Sequence, residues 1–351
     1  MKRKEILGSC VISLLLVVVT VGICEVALRI KHQKLSWKNF VEENWNLASL
    51  EFPIQHDSQL GWIPKENFSN QGLPAKDKIT LLALGVRSNG QTNDRGNQNS
   101  STVLTVGAST VFGSQVSDEQ TWPAILEEVS GHRVINAGVF AYGFDQVILR
   151  LEQLVPQFNP QWVILGIHPD NLSQVTMSQK YAKKPYFDIS ENKLILKNTP
   201  VPMTKKELAP YQAVLGYSYL AHYLLSKLRP EFWLEGHGEI KVHDRETEVN
   251  CLLAKRLENT CSEKHLNCAL VFQYFQTTAP EARNRVVNLK SCFVKGSVSI
   301  LDTYEPLELI RTQNPKLYES YFNFHMTSAG NAWTANYIQE KLNLKINSQL
   351  N

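Results

Sequence analysis

The sequence has little surplus charge: 36 Lys and Arg against 33 Asp and Glu leave a net +3. Beyond the N-terminus no basic block is interleaved with aromatics, so the concentrated basic face that a phosphate backbone requires is not evident and nucleic acid is not expected as a partner. None of the 6 cysteines forms a CxxC pair, which removes the common structural zinc sets. No internal repeat is present, which excludes solenoids and propellers. With 43% hydrophobic, 20% charged and 9% aromatic residues, the chain is neither collagen-like nor broadly disordered. Its 351 residues suit one large domain or two modest ones.

Charge is missing altogether from residues 6–24 (ILGSCVISLLLVVVTVGIC), which follow Lys2, Arg3 and Lys4 and precede Glu25, Arg29 and Lys31. At about 1.5 Å per residue the run reaches roughly 28 Å, close to a hydrocarbon core. A cleaved signal wants small residues before the cut, and Val21-Gly22-Ile23 or Glu25-Val26-Ala27 supplies them poorly. An uncleaved anchor over residues 6–28 is therefore expected. Basic residues flank it on both sides, so charge orients it weakly. Cys251, Cys261, Cys268 and Cys292 lie outside the anchor and allow two disulfides by three connectivities, which suits an oxidising compartment. The expected layout is a cytoplasmic tail 1–5, the anchor, an extension with a polar loop at 29–101, and an extracytoplasmic domain 102–351 with an insertion at about 174–245.

The stretch 88–101 is almost free of apolar residues and reads as a loop. Beyond it, short β-branched runs alternate with helical patterns. Strands are expected at 102–106, 133–136, 162–167, 269–273 and 298–301. Helices are expected at 122–129, 144–155, 217–227, 248–258, 280–289 and 329–342. Buried strands alternating with helices give a parallel sheet covered on both faces.

Ligands of such sheets bind at the carboxyl ends of the strands. The first strand ends in Val106-Gly107-Ala108-Ser109, which puts a serine hydroxyl between small residues at that edge. The second runs into Asn136-Ala137-Gly138-Val139-Phe140-Ala141, and the third into His168-Pro169-Asp170-Asn171. These loops offer backbone N–H groups and an amide to a developing oxyanion. His325 stands just before the last helix.

In that order the four segments resemble the SGNH/GDSL hydrolase family over residues 102–172 and 297–343. Leu60-Gly61-Trp62, Gly85-Val86-Arg87, Ser117–Pro123 and Lys184-Pro185-Tyr186-Phe187 resemble its membrane-anchored bacterial branch. The resemblance implies a flavodoxin-like three-layer sandwich and an ester-acting enzyme. Ser109 would be the nucleophile and His325 the general base. The N–H groups of Ser109 and Ala141 with the Asn171 amide would form the oxyanion hole, and no metal or organic cofactor would be required. The implied substrate is an acylated glycan or another ester. The chain departs from the family pattern in four places. Ala108 replaces the acid beside the serine, and Ala141 replaces a glycine. Asp170-Asn171 shifts the third block by one position. No carboxylate lies two or three residues before His325, leaving Asn323, a main-chain carbonyl or Asp302 to orient the ring. Two readings follow: an active esterase or acyltransferase, and a degenerate domain that binds a glycan or a partner protein during envelope assembly.

Overall fold

The computed structural model describes residues 2–43, 53–72, 76–90, 101–205, 207–276 and 280–344. Most of the polar loop, residues 91–100, lies outside them. The chain divides into two compact units, residues 1–52 with 204–240, and residues 53–203 with 241–351.

The first unit carries the N-terminal helix α1 (Lys2–Lys31). Its segment Ser9–Lys31, 23 residues, is long and apolar enough to cross a membrane. The helix continues past the expected end at residue 28 because its last turns make polar contacts with residues 217–220. The Glu25 carboxylate accepts from the N–H groups of Tyr219 and Leu220 at 2.8 and 2.7 Å, and from the Ser218 hydroxyl at 2.8 Å. It thereby satisfies amides at the start of the helix Tyr219–Leu228 that have no partner within that helix. Arg29 donates to Glu25 and to the Ser36 and Tyr217 carbonyls.

The second unit holds a five-stranded parallel sheet: β1 Thr102–Gly107, β2 Arg133–Asn136, β3 Trp162–Ile167, β4 Asn267–Phe272 and β5 Val298–Asp302. Spatial order is β5-β4-β3-β1-β2. Val103 lies opposite Val134 and Trp162, and Cys268 opposite Val163 and Val298. The strands are nearly continuous apolar runs because both faces are covered. On one face, α2 (Trp122–Ser130) and α6 (Ser328–Leu342) bury Trp122, Leu126, Ala335 and Ile338 against Val103, Ile164 and Val271. α3 (Phe144–Phe158) and α4 (Glu246–Glu263) pack together on the other, with α5 (Pro280–Lys290) beside α4. This is the expected flavodoxin-like three-layer arrangement, and its strand order reverses between β1 and β3, the position at which ligands of such sheets bind.

All five strands and six helices expected from periodicity are present: strands 133–136 and 162–167 match at both ends, and the other ends shift by up to five residues. Thr121 caps α2 by accepting from the Ala124 N–H at 3.2 Å. Two helices, Tyr304–Gln313 and Pro315–Ser320, and the hairpin Tyr186–Ser190/Lys193–Lys197 were not anticipated. Residues 53–90 belong to the sheet-bearing unit, and residues 204–240 belong with α1. Both segments are placed by contacts distant in sequence, which no local periodicity reports. The four cysteines pair as Cys251–Cys292 and Cys261–Cys268. The bridges tie α4 to the residues after α5 and to β4.

Candidate active site

Ser109 follows β1 at the start of the short helix Ser109–Phe112. Gly107 of β1 pairs with Gly166 of β3, so the serine stands at the switch point. A Cβ at Gly138 would overlap the backbone N of Phe112, because the Asn136–Gly138 loop lies directly against the serine turn. Glycine is required there by close approach.

His325 comes from a different part of the chain. A two-residue hairpin pairs Asn323 with His325 and ends in Thr327, whose hydroxyl caps α6. Asn331 in α6 fixes this corner: its Nδ2 donates to the Met326 and Thr327 carbonyls at 3.1 and 2.9 Å, and its Oδ1 accepts from the Trp122 N–H at 3.0 Å. His325 Nε2 then lies 3.0 Å from Ser109 Oγ. The two residues, 216 positions apart, form a serine–histidine pair.

The ring is oriented by a residue that the sequence did not single out. Gln115 Oε1 lies 3.3 Å from His325 Nδ1 and 3.2 Å from the His325 backbone N. A backbone N–H can only donate, so the amide atom facing it is the oxygen. The same oxygen therefore accepts from Nδ1–H, which leaves the Nε2 lone pair to accept from the Ser109 hydroxyl. Burial pushes the imidazole pKa down to about 4, so the ring is neutral at pH 7. Neither expected orienter reaches it. Asn323 is exposed on the hairpin. The Asp302 carboxylate is committed to Lys290 Nζ and to the Tyr304 N–H. Nothing in the local pattern marks Gln115, a polar residue in a surface turn. Its left-handed backbone, φ +71°, follows from the way the turn is held.

Arg87 does the holding. Its guanidinium donates to Asp118 at 2.9 Å and to the carbonyls of Phe112, Gly113 and Val116 at 2.8, 2.7 and 2.7 Å. Both members of the pair are buried, and the loop that carries Gln115 is wrapped around them. In the sequence Arg87 stood out only as part of a family-like stretch.

The three expected oxyanion donors lie on the segments that follow β1, β2 and β3. The N–H groups of Ser109 and Ala141 donate to no other group among the described residues. Asn171 is buried, and its Oδ1 accepts from the His168 N–H at 2.7 Å. The Asn171 Nδ2 has no hydrogen-bond partner among the described residues. Asp170, the neighbour one position away, instead points to solvent, 3.8 Å from Arg285. Ala141 sits at φ +64°, where a glycine is usual and a methyl group costs about 1 kcal/mol. Its loop is locked from outside: Trp62 Nε1 donates to the Phe140 carbonyl at 2.9 Å, and the Tyr142 hydroxyl to the Trp62 carbonyl at 2.5 Å.

Aromatic rings line the histidine side. Phe275 stacks on His168 at 4.0 Å and meets the His325 ring edge-on at 5.2 Å. Phe324, 69% exposed, also meets His325 edge-on, at 4.9 Å. These rings explain much of the desolvation at His325. His168 is likewise lowered to about 4, by burial first and then by the nearby His325, with Asp170 opposing.

No family model matches the sequence, and no match was found among curated proteins. Among solved structures, an acetylxylan esterase from Geobacillus stearothermophilus is 14% identical, with 69% of this chain and 94% of that one covered at a TM-score of 0.40. A lipase/acylhydrolase from Enterococcus faecalis is 10% identical, with 69% and 95% covered at 0.38. A lipolytic protein of the G-D-S-L family from Desulfitobacterium hafniense is 13% identical, with 68% and 98% covered at 0.38. Likenesses of this strength stand beside the site geometry and add no weight to it.

Proposed function

We propose that this chain is a membrane-anchored, extracytoplasmic serine esterase or acyltransferase of the SGNH type, acting on ester-linked acyl groups such as the O-acetyl groups of a cell-surface glycan. One observation carries the reading: His325 Nε2 lies 3.0 Å from Ser109 Oγ, with Gln115 Oε1 3.3 Å from Nδ1 on the other side of the ring. Ser109 Oγ attacks the ester carbonyl carbon as Nε2 takes its proton. The tetrahedral oxyanion is met by the N–H groups of Ser109 and Ala141 and by Asn171 Nδ2. The bond to the leaving alcohol breaks as Nε2 returns the proton to the alcohol oxygen, and an acyl-Ser109 remains. Water, or a sugar hydroxyl in the transferase case, then attacks with His325 again as base, releasing Ser109. Gln115 orients the ring but carries no charge to stabilise the imidazolium, so turnover slower than that of a carboxylate triad is expected.

The anchor reading rests on α1. Cleavage after Ala27 would strip the helix Tyr219–Leu228 of the Glu25 carboxylate at its start, which favours an uncleaved helix. The two disulfides suit residues 30–351 facing an oxidising compartment.

Labelling with a serine-directed fluorophosphonate tests the chemistry. The wild-type protein should be labelled and Ser109→Ala should not; equal labelling of both would overturn the role of Ser109. A wild-type protein that takes no label and releases no acetate, yet binds an O-acetylated glycan, would establish the degenerate binding domain instead.

A further inference from the structure

The unit built on α1 exposes apolar side chains where its helix would leave a membrane. Val214 is 73%, Tyr217 53%, Leu215 45% and Trp37 83% exposed. Two contacts through Arg29 tie these residues to one level of the helix, and a third joins the turn to the chain after Trp37. Arg29 Nη2 donates to the Tyr217 carbonyl at 2.6 Å, the Arg29 guanidinium lies 5.1 Å from the Trp37 ring, and the Phe40 N–H donates to the Gly216 carbonyl at 2.8 Å. Arg29 itself belongs to the apolar segment Ser9–Lys31. The turn 213–217 and Trp37 therefore stand level with the last two turns of that segment, within a helical rise of about 11 Å.

The charges at this level are internally satisfied. Glu25 accepts from two amides, a hydroxyl and Arg29, and Arg29 spends its remaining donors on carbonyls. A paired Glu–Arg couple with its hydrogen bonds filled can sit at low dielectric, where an unpaired charge is costly. Exposed Trp, Tyr and aliphatic side chains beside it have the chemistry of a headgroup–acyl boundary. Lys31, Lys34 and Lys38 follow immediately in sequence, as a face on anionic headgroups requires.

We propose that the turn 213–217 and Trp37 dock into the outer headgroup–acyl boundary of the bilayer that α1 spans, so that this unit grips the membrane by a surface patch as well as by the helix. The proposal rests on the anchor reading of α1 and is independent of the chemistry at Ser109.

The test uses the full chain with Cys10 and Cys24 replaced by serine, reconstituted in vesicles of phosphatidylcholine with phosphatidylglycerol. Nitroxide labels are introduced singly by Val214→Cys, Tyr217→Cys, Val17→Cys and Val294→Cys, all at exposed positions, and collisions with oxygen and with a nickel chelate are compared. Labels at 214 and 217 should show a several-fold higher oxygen-to-nickel ratio than the label at 294. A ratio at 214 and 217 equal to that at 294, with the label at 17 in hydrocarbon, would overturn the patch while leaving the anchor standing. An aqueous signal at 17 would remove the anchor itself. Dipolar broadening at 214 and 217 that grows with the protein-to-lipid ratio would assign the patch to a second copy of the chain, which also overturns the proposal.

Discussion

Two arginines, one in each unit, solve the same problem with different exposure. Arg87 and Arg29 each donate Nε to a carboxylate, Asp118 and Glu25, and spread their remaining N–H groups over carbonyls of irregular chain. Each also lies near an aromatic face, Phe112 at 4.9 Å and Trp37 at 5.1 Å. A planar group with five donors suits segments whose carbonyls have no ladder partner. The difference is water. The side chains of Arg87 and Asp118 are 0% and 2% exposed, those of Arg29 and Glu25 9% and 21%. The drier clamp fixes the Gln115 turn; the wetter one joins the end of α1 to the chain beside it.

That contrast sets the largest expected effect. Arg87→Ala leaves Asp118 unpaired in a dry site and should cost about 3–5 kcal/mol of stability. Arg29→Ala leaves Glu25 with its amide and hydroxyl donors and some water, and should cost about 1–2 kcal/mol. Denaturant unfolding of the two variants checks this, and equal losses would break the comparison.

Next comes pH. His325 has a folded pKa of about 4 against about 6.5 unfolded. Between those values the unfolded chain binds a proton that the folded chain refuses. Stability is therefore flat above pH 6.5 and falls as pH drops towards 4, by an amount on the order of 3 kcal/mol from this group. Unfolding free energies at pH 7, 5.5 and 4.5 should show the fall, and His325→Gln should remove part of it. By the same sign kcat/KM should rise with pH through about 4 and level off before neutrality, because only the neutral ring can act as base.

A smaller effect is expected at Gln115, exposed and neutral. Gln115→Ala loses one modest hydrogen bond, and kcat should fall about tenfold. Gln115→Glu should instead move the acid limb of the pH profile upward, since a carboxylate at Nδ1 favours the protonated ring. If the Arg87 clamp acts through this turn, Arg87→Lys should reproduce the kcat loss of Gln115→Ala with little change in KM. The smallest effect is at Ala141, where Ala141→Gly removes a methyl from a left-handed position and should add about 1 kcal/mol of stability.

The sequence by itself determined the layers. Buried strands such as 162–167 announce themselves by unbroken β-branched and apolar runs, and helices such as α2 by caps and a 3.6-residue period, because both signals are local. Ser109 and His325 were legible for the same reason: each stands at the end of a recognisable element, among small residues or before a cap. What only the tertiary structure decided is which side chains complete them. Gln115 replaces Asn323 and Asp302 at His325 because the Arg87–Asp118 clamp folds its turn towards the ring, while Lys290 and the Tyr304 amide occupy Asp302. Residues 204–240 join α1, not the sheet, because Glu25 and Arg29 satisfy backbone groups about 190 positions away. Such pairings depend on three-dimensional proximity and the satisfaction of buried polar atoms, which leave no period in the chain.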